Sequence, residues 1–173
     1  MTDILTSRLR LRPARTGDLD AFHAILRDRA AMRYWSSPPH TDIEQSREWL
    51  GKMIAIPEDQ GLDFVIEHEG VAIGKAGCWR VPEIGYILHP DYWDQGFARE
   101  ALAAIIPRLF ESFPLPAIAA DVDPRNQASI ALLLRLGFTE THRAQRTWLV
   151  GEEWCDSVYF ALSREAWAAH ALD

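Results

Sequence analysis

Residues 83–122 read as strand, helix, strand, and no other stretch constrains the fold as strongly. After Pro82, Glu83–Leu88 is a β-rich run. Leu102, Ile105, Ile106, Leu109, Phe110 and Phe113 then recur at the helical period, and Ala117–Val122 is again strand-like. A strand that returns to its own sheet through a helix pairs in parallel, by a right-handed crossover. The rest of the chain builds around this unit. Residues Arg8-Leu9-Arg10-Leu11-Arg12 alternate polar and apolar until Pro13, as a half-buried strand does. Leu19, Phe22, Ile25 and Leu26 predict one helix, and a capping box Thr41-Asp42-Ile43-Glu44 ahead of Trp49, Leu50, Met53 and Ile54 predicts a second. The loop between them, Tyr34-Trp35-Ser36-Ser37-Pro38-Pro39-His40, is stiffened by two prolines and carries two large aromatics.

Two β-rich runs, 62–67 and 71–79, flank His68-Glu69-Gly70 as a hairpin. A helix is expected from 126 to about 136, with Asn126 as N-cap and Gly137 after the last turn, and two final strands, 146–150 and 154–162, join through Gly151-Glu152-Glu153. The order β-α-α-β-β-β-α-β-α-β-β predicts an α/β (α+β) protein: a mixed central sheet of about seven strands flanked by about four helices. No repeat or linker divides the chain, so one domain over 1–173 is expected. With 18 Lys+Arg against 25 Asp+Glu, a formal charge of −7, the chain lacks the basic surface that neutralises a phosphate backbone, and nucleic acid is not an expected partner. Its apolar runs are too short for a bilayer, as in 101–109 where Pro107 and Arg108 intervene, and Met1-Thr2-Asp3-Ile4-Leu5 lacks the pattern of a signal peptide. A cytoplasmic location is the expectation. Cys78 and Cys155 stand far apart with no zinc-ligand spacing and read as small core residues; the histidines show no metal spacing, and His89 reads as a turn residue.

The chemistry concentrates at the end of the Glu83–Leu88 strand. A turn containing Gly96 and the small Ala98 leads into a helix, whose N-terminal N–H groups and positive dipole end can cradle a pyrophosphate where small residues allow close approach. A plain structural turn would need the same residues. The run Tyr92-Trp93-Asp94-Gln95-Gly96-Phe97-Ala98-Arg99-Glu100-Ala101 resembles the acetyl-CoA pyrophosphate loop of GNAT N-acetyltransferases, and the branch it resembles is the ribosomal-protein-alanine, RimJ/RimL-like type. The resemblance extends through Thr6-Ser7-Arg8-Leu9-Arg10-Leu11-Arg12-Pro13, Ile84-Gly85-Tyr86-Ile87-Leu88, Asn126-Gln127-Ala128-Ser129, Leu136-Gly137-Phe138 and Trp154-Cys155-Asp156-Ser157-Val158-Tyr159. Trp93 stands where that family usually has Gln or Arg, and neutral Gln95 stands where a basic residue is usual, which leaves the pyrophosphate to backbone donors.

The resemblance implies a GNAT fold in which Glu83–Leu88 splays from the parallel Ala117–Val122. Tyr86, Ile87 and Leu88 would bind the pantetheine arm like an added strand, with Gly85 at a local bulge, and Gln95, Gly96, Phe97, Ala98 and Arg99 would hold the pyrophosphate. The co-substrate implied is acetyl-CoA, with no metal. Direct acyl transfer to an amine wants a base, an oxyanion donor and a proton for the leaving thiolate. Glu83 is the candidate base, or else a solvated strand-end carboxylate; Ser129 is the candidate acid, or else first-turn capping. Asn126 orients CoA or a water, or caps its helix; Tyr86 reads as a sheet residue rather than an acid. Of the seven tryptophans, Trp49 and Trp79 read as core, while Trp35 and Trp154 are candidate walls of the acceptor pocket. Glu152, Glu153 and Asp156 would form a negative rim attracting an ammonium acceptor. The expected acceptor is a protein N-terminal α-amine. A small amine of the polyamine or aminoglycoside type, or a non-catalytic acyl-CoA-binding module, is the alternative, and exposed hairpin edges leave room for a homodimer.

Overall fold

The computed structural model describes residues 2–170. Eight strands form one sheet: β1 (Ile4–Leu5), β2 (Leu9–Arg12), β3 (Leu62–His68), β4 (Val71–Arg80), β5 (Glu83–Leu88), β6 (Ala117–Val122), β7 (Thr139–Val150) and β8 (Glu153–Ser163), in the order β1-β2-β3-β4-β5-β6-β8-β7. The helices are α1 (Leu19–Arg27), α2 (Ile43–Ile54), α3 (Phe97–Ser112), α4 (Gln127–Arg135) and α5 (Arg164–His170). All neighbouring strands are antiparallel except β5 and β6, which α3 joins. This is the mixed α/β architecture expected from the sequence, with one parallel pair in an otherwise antiparallel sheet.

The extra strand and helix lie at the chain's ends. β1 has two residues, too few to show a period, and α5 is secured by tertiary bonds from Arg164 to the carbonyls of Phe110 and Phe113 (2.7 and 3.1 Å). β7 begins at Thr139 rather than near 146, because its first eight residues, Thr-Glu-Thr-His-Arg-Ala-Gln-Arg, are an exposed edge with no apolar alternation to betray them. The box opening α2 sits one residue later than expected: Asp42 caps, accepting from Glu44 N–H at 2.8 Å, and Gln45 Oε1 reaches back to Asp42 N–H at 3.2 Å. An aspartate accepts a backbone N–H as well as Thr41 would, and it competes for the cap.

Two cores cover the two faces of the sheet. α3 packs Ala101, Leu102, Ile105, Ile106 and Leu109 against Ile84, Leu88, Ile118 and Ala120. α1 and α2 bring Phe22, Ile25, Leu26, Leu50 and Met53 onto Val65 and Ile87. Since successive strand residues point to opposite faces, Ile84, Tyr86 and Leu88 look towards α3, and Glu83, Gly85 and Ile87 towards α1 and α2.

Candidate active site

β5 and β6 pair at one position, Glu83 with Ala119, and Ala119 N–H bonds Pro82 O at 2.9 Å; beyond that the strands diverge. Their divergence opens a cleft of about 1390 Å³ lined by Trp35, Glu83, Tyr86, Ile87, Leu88, Gly96, Phe97, Ala98, Arg99, Asn126 and Ser129, among others. At one end stands the turn before α3. Asp94 and Gly96 both have positive φ (57° and 79°), and Gly96 is the N-cap. The first backbone bond of α3 is Glu100 N–H to Gly96 O at 3.0 Å, so the N–H groups of Phe97, Ala98 and Arg99 precede any intrahelical acceptor and face the loop end with the positive dipole. These features suit a pyrophosphate.

The turn is held from the far side of the chain. Arg8 donates to Gln95 O (2.9 Å) and to Glu100 Oε2 (2.7 Å) and lies over the Phe97 ring at 4.4 Å. Thr6, Ser7 and the Arg8 backbone also donate to Glu100 Oε1. Burial works against that carboxylate, yet the bonds from Thr6, Arg8 and Ser7 outweigh it and hold the Glu100 pKa down to about 2. Trp93 donates its indole N–H to Leu88 O (3.0 Å), and the Gln95 amide donates to Asp91 O (2.9 Å). Both side chains therefore brace the loop, and Gln95 is turned away from the cleft lining.

The alternation along β5 divides the cleft by chemistry. On the α3 face the Tyr86 hydroxyl lies 2.5 Å from Ser129 Oγ, and Ser129 N–H donates to Asn126 Oδ1 at 3.2 Å. Asn126 thus caps α4 while lining the cleft, and Ser129 is both a first-turn residue and the partner of a half-buried phenol. Burial pushes the Tyr86 hydroxyl up to about 12. The opposite face carries Glu83. Its carboxyl is raised by burial and then by the charge of Asp121, which shares its face because Glu83 pairs with Ala119. Asp121 in turn accepts the Trp148 indole N–H at 2.8 Å.

Tyr86's hydroxyl role, Asp121 and Trp148 had no sequence signal: Tyr86 and Ser129 are 43 residues apart, Asp121 and Trp148 27. Other expectations are corrected. Trp49 is partly buried and packs against the α1 and α2 core as expected while also lining the cleft, whereas Trp79 is 37% exposed and lines the cleft instead of filling the core. Trp35 lines it too, 5.4 Å above Lys75 Nζ, whose charge meets buried Asp63 at 3.0 Å. Trp154 stands outside the lining, 48% exposed with Arg146 over its ring, because its β8 position directs it away from the splay. Of the acidic rim, Glu153 is spent on Arg125 (2.6 Å) and Asp156 accepts Arg146 N–H (2.9 Å). Cys78 is fully buried, whereas Cys155 is half-exposed at the cleft. His89 accepts from Asp91 N–H within its turn. Among the described residues no cluster is placed to hold a metal, and no helix is long and apolar enough to cross a membrane.

A family model described as an acetyltransferase (GNAT) domain matches residues 8–139. The Bacillus licheniformis protein p20, named an uncharacterised N-acetyltransferase, is 32% identical over 80% of this chain and 83% of its own. Among solved structures, a Salmonella typhimurium acetyltransferase that modifies the N-terminal serine of ribosomal protein L7/L12 superposes with a TM-score of 0.81 (20% identity, 91% of this chain, 96% of the other). The Vibrio cholerae spermidine N-acetyltransferase in complex with CoA and spermine superposes with 0.77 (23% identity, 94% and 99%).

Proposed function

Because the chain belongs to the GNAT acetyltransferase family, we propose that this acetyl-CoA-dependent N-acetyltransferase acts on the α-amine of a peptide or protein N-terminus, with Glu83 as base and Ser129 as acid. Acetyl-CoA supplies an acetyl group activated as a thioester. Glu83 accepts the ammonium proton, freeing the nitrogen lone pair to form the new C–N bond. As the C–S bond breaks, its electron pair stays on sulfur and Ser129 Oγ delivers a proton there, while the second proton that the attacking nitrogen sheds on becoming an amide restores the Ser129 hydroxyl. The N–H groups at the start of α3 hold the phosphates, and β5 offers its backbone edge to the pantetheine arm.

The observation that supports this reading is the alternation on β5, which sets Glu83 on one face of the cleft and the Tyr86–Ser129 pair on the other. A base and an acid on opposite sides suit an amine entering from one side and a thiolate leaving on the other. A carboxylate is a modest base, so an α-amine with a pKa near 8 is favoured over a lysine amine at about 10.4. A peptide with a free N-terminus and an internal lysine, incubated with acetyl-CoA and read by mass spectrometry, should carry acetyl at the α-amine. Acetyl only at lysine overturns the acceptor assignment, and no turnover with any amine favours a binding module. Glu83→Gln should be about a hundredfold slower near pH 7 and recover as rising pH supplies neutral amine. An unchanged rate at pH 7 removes Glu83 as base.

A further inference from the structure

The cleft has an acceptor half whose walls the proposed reaction does not use. Trp35, Trp49, Trp79 and Trp148 all line it, on the α1 and α2 side where Glu83 and Asp121 project. Trp79 and Trp148 remain 37% and 44% exposed, although exposed indoles in a concavity are costly to leave in water. These rings are also fixed. Trp49 lies against Phe22 (5.3 Å) and Trp79 against Trp49 (5.7 Å), a continuous aromatic wall rising out of the core. Across the cleft, the Trp148 indole N–H is tied to Asp121 Oδ2 at 2.8 Å, and that bond fixes the carboxylate as well as the ring. Rings ordered in advance lose little freedom when a partner stacks on them.

The charges are as informative as the rings. The chain carries a formal −7, yet six basic and five acidic side chains line the cleft, so it is not acidic. Lys52 and Lys75 are already paired, with Glu48 (2.6 Å) and Asp63 (3.0 Å). A polycation would gain no attraction from such a surface. One ammonium would find Glu83 and Asp121, with indole faces beside them that favour a cation.

Resting on the reading of Glu83 as the base of an acetyl transfer, we infer that the acceptor is a monoamine carrying an aromatic ring close to the reacting nitrogen, its ammonium held by Glu83 and Asp121 and its ring by Trp79 and Trp148. Two sources share that chemistry: a peptide whose first residue is aromatic, and a free arylalkylamine.

The test is a set of peptides differing only in the first residue (Phe, Trp, Ser or Lys), with phenethylamine and spermidine alongside, each assayed for thiol release from acetyl-CoA. kcat/KM for the Phe and Trp peptides should exceed that for the Ser peptide about tenfold or more, mainly through KM. Phenethylamine accepted as well as the Phe peptide assigns the site to free amines; the Phe peptide alone assigns it to N-termini. In Trp79→Ala the Phe-to-Ser ratio should collapse towards one, whereas a merely structural role would lower both rates together. Should that variant fail to fold, Trp148→Phe supplies the same ratio, which should fall severalfold as the bond to Asp121 is lost. Equal rates for Phe and Ser peptides, or a preference for spermidine, overturn the inference. α-Acetylation of the Ser peptide in that same experiment would leave the broader reading standing; acetylation of phenethylamine but of no peptide would overturn the N-terminal reading alone, and acetylation of neither would overturn both.

Discussion

Asp121 acts on Glu83 through space, and that makes its removal diagnostic. Burial first, and then the Asp121 charge, raise the Glu83 carboxyl, so Glu83 stays protonated to a higher pH than a free glutamate and binds its proton more strongly once ionised. In Asp121→Asn the carboxyl should ionise at lower pH, moving the acidic limb of kcat/KM downward and lowering the plateau as the base weakens. An acidic limb that stays in place would mean that another group titrates. In the proposed reaction Tyr86 serves Ser129 in the same indirect way, as a positioning residue. The two hydroxyls lie 2.5 Å apart and either can donate; the proposed acid role requires the phenol as donor, which leaves the serine proton to point to the sulfur. Tyr86→Phe should lower kcat about tenfold while KM for acetyl-CoA stays within about twofold. The same change made in Ser129→Ala should add nothing further, as expected of two residues acting as a unit. Additive losses would separate them.

In the proposed reading the turn into α3 joins a structural and a binding role in one element. Gly96 is exposed and left-handed, and a Cβ there would meet only the Arg8 guanidinium at 3.5 Å, an ordinary contact. Gly96→Trp therefore keeps the core at a backbone cost of roughly 1 kcal/mol while setting an indole over the N–H groups of the helix. Calorimetric titration should show acetyl-CoA binding lost with the melting transition preserved; unchanged affinity would remove this turn from the binding site. The Thr6-Ser7-Arg8 segment acquires its meaning at this scale. Its side chains and backbone converge on Glu100, one turn into α3, and Arg8 grips Gln95 O, so a segment at the start of the chain braces a loop 87 residues away. The sequence resemblance marked both segments without indicating that they touch.

For the whole molecule, acid is the revealing perturbant. Glu100 is held at about 2, and Asp18 is also lowered, because Arg12 and Arg15 outweigh the burial that would raise it. Both folded pKa values lie below their unfolded ones. Their stabilisation is therefore complete above the unfolded values of about 4.3 and 3.9 and is lost as pH falls through the folded ones. Thermal stability should decline progressively below about pH 4.5. Glu100→Gln should lower Tm at neutral pH by roughly 4–8 °C, taking about 2 kcal/mol for its charge-assisted bonds. The acid-induced decline should also be shallower in that variant. A decline as steep as wild type would place the acid sensitivity elsewhere.

Local signals in the sequence were enough to set most of the elements. β5 and β6 fall on the expected residues, α4 starts from the expected Asn126 cap, and the strand, helix, strand unit does form the parallel pair. Periodicity, capping and turn chemistry act within a few residues and survive without knowledge of the fold. Tertiary structure decided which side chains meet: Tyr86 with Ser129, Asp121 with Trp148, Arg8 with Gln95, and Trp79 in the cleft rather than the core. Those pairings depend on which face each strand presents and on where β5 and β6 part. Both are set by register and by packing against α3 on one side and α1 and α2 on the other.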